Sequence, residues 1–179
     1  MKFASAEQPR TRHAPRGERL IVFTAGEETF AIAASAVLEI GSTDGLSGVA
    51  TPLSHPEVPK VRHTLQRGTR FYYVVNACTH FHMAPSRPAL ILLLSQSPAA
   101  VLVNRIDHMT EVARFYPLPR AFSGEERGWY RGLALFNDRV VPVVNPAAFL
   151  SDREIVLLDA VAGAAASGIA SRKQGAAQA

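Results

Sequence analysis

The sequence predicts a mainly β protein, with short strands arranged as barrels or a sandwich. Two observations carry this. Short runs of β-branched, aromatic and aliphatic residues recur between clusters of Gly, Pro, Asn, Asp and Ser. No sustained helical periodicity occurs before residue 146, so the alternation of strands and long helices that marks a parallel α/β sheet is missing.

Taken in order, Leu20-Ile21-Val22-Phe23-Thr24 reads as a strand, Gly26-Glu27-Glu28 as a turn, and residues 29–33 as the hairpin partner. Residues 34–40 fit either a helical turn or a further strand. Residues 41–70, rich in Gly, Pro, Ser and Thr, read as largely loop. Residues 71–76 are strongly β, and the pattern continues through 77–83. Residues 89–94 read as a buried strand, 95–98 as a turn and 99–104 as the return strand, continued with a bend by 106–112. Residues 130–136, the turn Asn137-Asp138 and residues 139–145 form another hairpin. Residues 146–150 and 152–161 are helix candidates. No clear internal repeat is visible.

The chain has 179 residues, room for one ordinary domain or two small halves packed together, and 47% of them are hydrophobic, enough for a core. Cys78 is the only cysteine, which excludes an internal disulfide. The strongest apolar run, 89–94, is far too short to cross a bilayer, and no basic-then-apolar leader opens the chain, so a cytoplasmic protein is expected. The formal charge of +4 lies at the ends. Lys2, Arg10, Arg12, Arg16 and Arg19 crowd the start and Arg172 and Lys173 the tail, leaving the body near neutrality, which argues against nucleic-acid binding. Residues 1–18 are expected to be an unfolded leader and 161–179 a flexible Ala-rich tail.

The order of segments over residues 20–151 resembles the CheW-like domain of bacterial chemotaxis adaptors. The quoted matches are Leu20-Ile21-Val22-Phe23, Gly26 to Ile32, Val37-Leu38-Glu39-Ile40, Tyr73 to Thr79, Ala100 to Ile106, and the closing hairpin Tyr130 to Asn145 followed by Phe149-Leu150. Read against the family pattern, Cys78 and Thr79 stand where it has Arg-Gly. Tyr73 and Ala100 replace glycines, and Asn104 and Asn145 replace aspartates. The resemblance implies two small SH3-like five-stranded β-barrels with a shared core, spanning 19–160, and short helices. It implies a non-catalytic adaptor without a cofactor. Its partners would be the regulatory domain of a CheA-type histidine kinase and the signalling tip of a chemoreceptor. Val37, Glu39, Asn76, Cys78, Thr79 and Gly132 match the coupling motifs. Loss of the Arg-Gly pair implies a divergent pathway, such as pilus or gliding motility.

Other chemistry is weighed against this. On a strand, Cys78, His80 and His82 would share one face, and sulfur and imidazole suit zinc, with His55 or His63 as a fourth ligand. The alternative is an exposed polar face opposite Ala77, Thr79, Phe81 and Met83. No Gly-x-Ser-x-Gly elbow is present, Asp107 and His108 point apart on a strand, and Gly45 to Gly48 lacks a phosphate-loop Lys. The single thiol reads as a packing group. Glu39 is an interface acid or an ordinary solvated carboxylate. Gly132 marks a bulge or close backbone approach, or is tolerated at an edge. The aromatic groups at 71–73, 115–116 and 129–130 are core or docking surface.

Overall fold

In the computed structural model, which describes residues 17–46 and 50–176, eleven strands form two sheets. They are β1 (Glu18–Ala25), β2 (Glu28–Ala33), β3 (Val37–Ser42), β4 (Thr51–Pro52), β5 (Val61–Arg67), β6 (Arg70–Asn76), β7 (Leu90–Leu94), β8 (Ala99–Val103), β9 (Arg105–Val112), β10 (Tyr130–Phe136) and β11 (Arg139–Val144). A short helix α1 (Ala77–His80) follows β6, and α2 (Asp152–Ala176) closes the described chain. The first sheet has the order β10-β11-β2-β1-β9 and the second β3-β7-β8-β6-β5-β4. The chain leaves the first sheet after β2 and returns to it at β9.

Strands β1, β2, β7 and β8 read as continuous apolar runs because they are buried on both faces. On β1, Leu20 and Val22 pack with Ala31, Ala33, Ala134, Val141 and Val143 inside the first sheet's curl. Their neighbours Ile21 and Phe23 face a seam shared with Tyr73, Val75, Leu92, Leu94 and Val101. The second sheet divides in the same way: Leu65, Tyr72, Val74, Ile91, Leu93 and Ala100 fill its own interior. Period-two alternation thus sorts each strand between a private core and a common one. This is the expected two-unit β fold, with a sixth strand in the second sheet.

The two sheets follow one plan. In each, a hairpin (β10-β11 or β5-β6) joins another hairpin (β2-β1 or β8-β7) through a parallel pairing, with an edge strand (β9 or β3) beyond. The irregularities coincide: Tyr130/Gly132 in β10 and Val61/His63 in β5, Val22/Phe23 opposite β9 and Val37/Glu39 in β3. Even β4 has a counterpart, since Thr51 pairs with Thr64 as Tyr116 pairs with Leu133. Along the chain this is a tandem repeat, each copy giving a hairpin, an edge strand, a second hairpin and a short helical turn. The repeat unseen in the sequence survives as Arg62/Arg131, Arg70/Arg139 and Val74-Val75-Asn76/Val143-Val144-Asn145. Asn76 and Asn145 play the same role, their side-chain oxygens accepting from Thr79 N–H and Ala147 N–H as helix caps.

Several expectations are corrected. Residues 77–83 do not continue a strand: Asn76 caps α1 and the chain turns away. Residues 41–70 contain β5, whose Leu65 and Thr64 are buried although charged and polar neighbours hide the pattern. Residues 34–36 form a 3-10 turn and 37–42 a strand, so both readings of that segment hold in succession. The first strand begins at Glu18, inside the expected leader, whose residues 1–16 lie outside the described residues. The helix begun at Asp152 runs to Ala176 and takes in most of the segment expected as a tail. Ser151 starts it with a reciprocal cap, its Oγ accepting from Glu154 N–H while Glu154 Oε2 accepts from Ser151 N–H at 2.9 Å. Leu158 is buried in the seam, and Tyr73 donates its hydroxyl to Asp159.

Candidate functional site

The residues singled out in the sequence fall in three places. Val37 and Glu39 lie on β3, an edge strand paired on one side only, to β7. Val37 packs against the seam, while Leu38, Glu39 and Ile40 are exposed. The curl of the sheet brings the β5–β6 turn over Glu39, and Arg67 Nε lies 3.8 Å from Glu39 Oε1. Arg67 is the last residue of β5, and Gly68 follows in the left-handed region at φ +59°, where only glycine sits without strain. An Arg-Gly pair thus stands at Arg67-Gly68, one strand before Cys78-Thr79 and within the stretch read as loop.

The second place is α1. Residues two apart on a helix point about 200° apart, so Cys78 and His80 diverge and the shared strand face required for a metal is absent. Cys78 is buried, with Sγ 3.1 Å from Ser86 Oγ. Ser86 donates in turn to Asn104 Oδ1 at 2.9 Å, which leaves the thiol as the donor to Ser86. Asn104 also accepts from Gly26 N–H at 2.7 Å and donates to the Arg87 carbonyl at 3.0 Å. It thereby locks the β1–β2 turn to the loop before β7. Among the described residues no three His, Cys, Asp or Glu side chains converge as a metal site requires. Thr79 is exposed beside His80.

His80 lies on the floor of a cleft of about 620 Å³ walled by Lys60, Thr79, His82, Trp129 and Glu154. It is 3% exposed and packs at 5.0 Å against both Trp129 and Phe149, the latter being its counterpart in the repeat. Lys60 Nζ lies 3.4 Å from Nδ1 and 2.8 Å from Glu154 Oε1. Lysine can only donate, so Nδ1 accepts and the ring proton sits on Nε2, which is buried among the aromatic rings without a hydrogen-bond partner. Burial, and then the charges of Lys60 and His82, lower its pKa to about 3, so His80 is neutral near pH 7. Its chemistry is that of a core residue.

The third place is β10. A Cβ on Gly132 would stand 2.7 Å from the Tyr116 carbonyl oxygen. Tyr116 and Leu133 exchange backbone hydrogen bonds of 2.7 and 2.8 Å, so this approach closes the first sheet against the segment after β9. The bulge-or-close-approach reading of Gly132 is the one the geometry supports. Arg131 beside it makes a bidentate pair with Glu18 at 2.6 and 3.1 Å.

Exposed strand edges, an exposed ion pair and glycine-dependent turns surround one shared core and two private ones, which defines a two-unit β module. The chain belongs to the CheW-like domain family, whose model matches residues 19–154. Its fold is similar to that of the scaffolding protein TtCheW from Thermoanaerobacter tengcongensis, with a TM-score of 0.59 and 14% identity, covering 72% of this chain and 89% of that one. No curated protein matches in sequence. Among the described residues no helix is long and apolar enough to cross a membrane.

Proposed function

We propose that this chain is a non-catalytic adaptor of chemotaxis-type signalling that couples a chemoreceptor signalling hairpin to the regulatory domain of a CheA-type histidine kinase in the cytoplasm. The observation that carries this reading is the Glu39–Arg67 pair on the free side of β3, which sets opposite charges at one exposed spot beside an unpaired strand edge. Both side chains are about half exposed, so the pair adds little to stability, and its charges are available to exchange partners with acidic and basic residues on a receptor helix. Val37 supports β3 from beneath. Asn76 and Gly132 act on the backbone, through the α1 cap and the Tyr116 approach. Cys78 and Thr79 belong to the α1 turn and stand outside this spot. Holding two partners on one body raises their effective concentration for each other without any chemical step.

The test is calorimetric titration of the full chain with the cognate kinase regulatory domain and with the receptor hairpin. Arg67→Glu is expected to weaken hairpin binding about tenfold or more while leaving the melting temperature unchanged. Wild-type protein that binds neither partner would end the adaptor reading, and unchanged hairpin affinity in Arg67→Glu would remove the ion pair from the site.

A further inference from the structure

We infer that the groove between the β9 edge and the β10–β11 hairpin is the docking site of this chain's own residues 1–16, which lie outside the described residues. The arginines of this segment sit on the acidic rim of the groove, and its apolar end covers the floor.

The groove has a volume of about 850 Å³, and His108, Phe136, Val140 and Pro142 line it. His108 and Phe136 meet edge-on across it, with ring centroids 6.4 Å apart. Val140 is 63% exposed, and Met109, next to His108 on β9, is 57% exposed. The rim carries Glu27, Glu28 and Asp107 against Arg139, and Asp138 adds a carboxylate in the adjoining turn. Asp107 is held by Arg105 at 2.6 Å. Glu27, Glu28 and Asp138 make no ion pair among the described residues. An open apolar groove with uncompensated acids on its rim calls for an occupant that brings apolar and basic side chains together.

Residues 1–16 bring both. They hold Lys2, Arg10, Arg12 and Arg16 against a single acid, Glu7, and their large apolar side chains, Met1 and Phe3, stand at the far end. The point of entry is fixed too. A Cβ on Gly17 would stand 2.5 Å from Glu111 Cγ, so the chain joins the fold pressed against β9. From Glu111 the exposed residues Met109, His108 and Asp107 lead along β9 to the groove wall. The four residues from Glu111 to Asp107 cover about 13 Å. An extended chain turning back from Gly17 over that distance sets Arg12 near Asp107 and Arg10 toward Glu27 and Glu28. The residues before Arg10 reach about 30 Å further, enough to lay Phe3 between Phe136 and Val140. Tethered beside the groove, the segment occupies it at a high effective concentration.

Nuclear magnetic resonance of the full chain tests this, with a nitroxide attached at Ser5→Cys in a Cys78→Ser background. The backbone amides of Glu28, His108, Asn137 and Val140 are expected to lose most of their signal, while those of Arg67 and Gly68 in the second sheet keep theirs. Joint Glu27→Lys and Glu28→Lys substitution is expected to restore the signal, and adding Arg10→Glu and Arg12→Glu to that variant to remove it again, because the charges then match in reverse. Should Cys78→Ser disturb the fold, the unlabelled wild type is compared with Arg10→Glu/Arg12→Glu, and shift changes are expected at the same four amides. Broadening centred on another surface, or absent from the groove, overturns the docking, as do unchanged shifts in Arg10→Glu/Arg12→Glu. Broadening that survives Glu27→Lys and Glu28→Lys overturns the hold by the arginines. In a mixture of nitroxide-bearing chains with separate isotope-enriched chains, broadening of the groove amides makes the segment of a second copy the occupant and also overturns the proposal.

Discussion

Replacing His80 with phenylalanine, the residue at its repeat counterpart Phe149, removes one titrating group from the seam without opening a cavity. In the folded protein His80 titrates at about 3, against 6.5 when free. The unfolded chain therefore binds the extra proton first, and between those two values stability falls as pH falls. The full effect is absent above pH 7, amounts to about 2 kcal/mol by pH 5, and continues to grow toward pH 3. The acid-side cost has a structural origin: a second positive charge would sit beside Lys60 and among Phe81, Trp129 and Phe149. Urea unfolding from pH 8 to pH 5, followed by fluorescence of Trp129, the only tryptophan, measures it. Wild-type stability should drop relative to His80→Phe by about 2 kcal/mol across that range. Titrations common to both proteins cancel in the difference. Parallel curves would refute a neutral, buried His80, and His80→Gln provides the same comparison should the aromatic replacement fold poorly.

Two further outcomes follow from the same geometry. Gly132→Ala should lower stability by about 1–3 kcal/mol, because its Cβ must displace the Tyr116 backbone. That corresponds to a loss of roughly 2–4 °C in melting temperature per kcal/mol, and an unchanged melting curve would show that the segment after β9 gives way freely. Asn104→Asp should cost about 1–3 kcal/mol, since it sets a carboxylate oxygen against the Arg87 carbonyl where an N–H now donates. Chemical denaturation checks this, and a stability equal to wild type would mean that the loop before β7 is held by other contacts.

The hairpins β1–β2, β7–β8 and β10–β11 were legible because their residues are apolar on both faces and their turns carry Gly26, Ser95 to Pro98 and Asn137-Asp138. β5 was not, since only Val61, Thr64 and Leu65 are buried and Arg62, His63, Gln66 and Arg67 dominate its composition. α1 was misread for a tertiary reason. Its residues Ala77, Cys78 and His80 are buried, so they look like strand, and the switch depends on a single capping contact from Asn76. Glu39 reads in the sequence as an interface acid or an ordinary solvated carboxylate, and Arg67 comes to it only through the curl of the sheet, which no local pattern records. The repeat itself hid because its copies share a few arginines and one Val-Val-Asn triplet while the core side chains have drifted.

Because each sheet takes one hairpin from the first half of the chain and its edge strand and other hairpin from the second half, or the reverse, neither half contains a finished unit. Cutting within residues 82–88 would leave two fragments, each with every type of strand but with neither sheet complete. Such fragments are expected to fold only by reassociating, with the opposite fragment or with their own kind through exchanged hairpins. Unfolding of the intact chain should accordingly be a single transition, since loosening one half withdraws strands from both sheets at once.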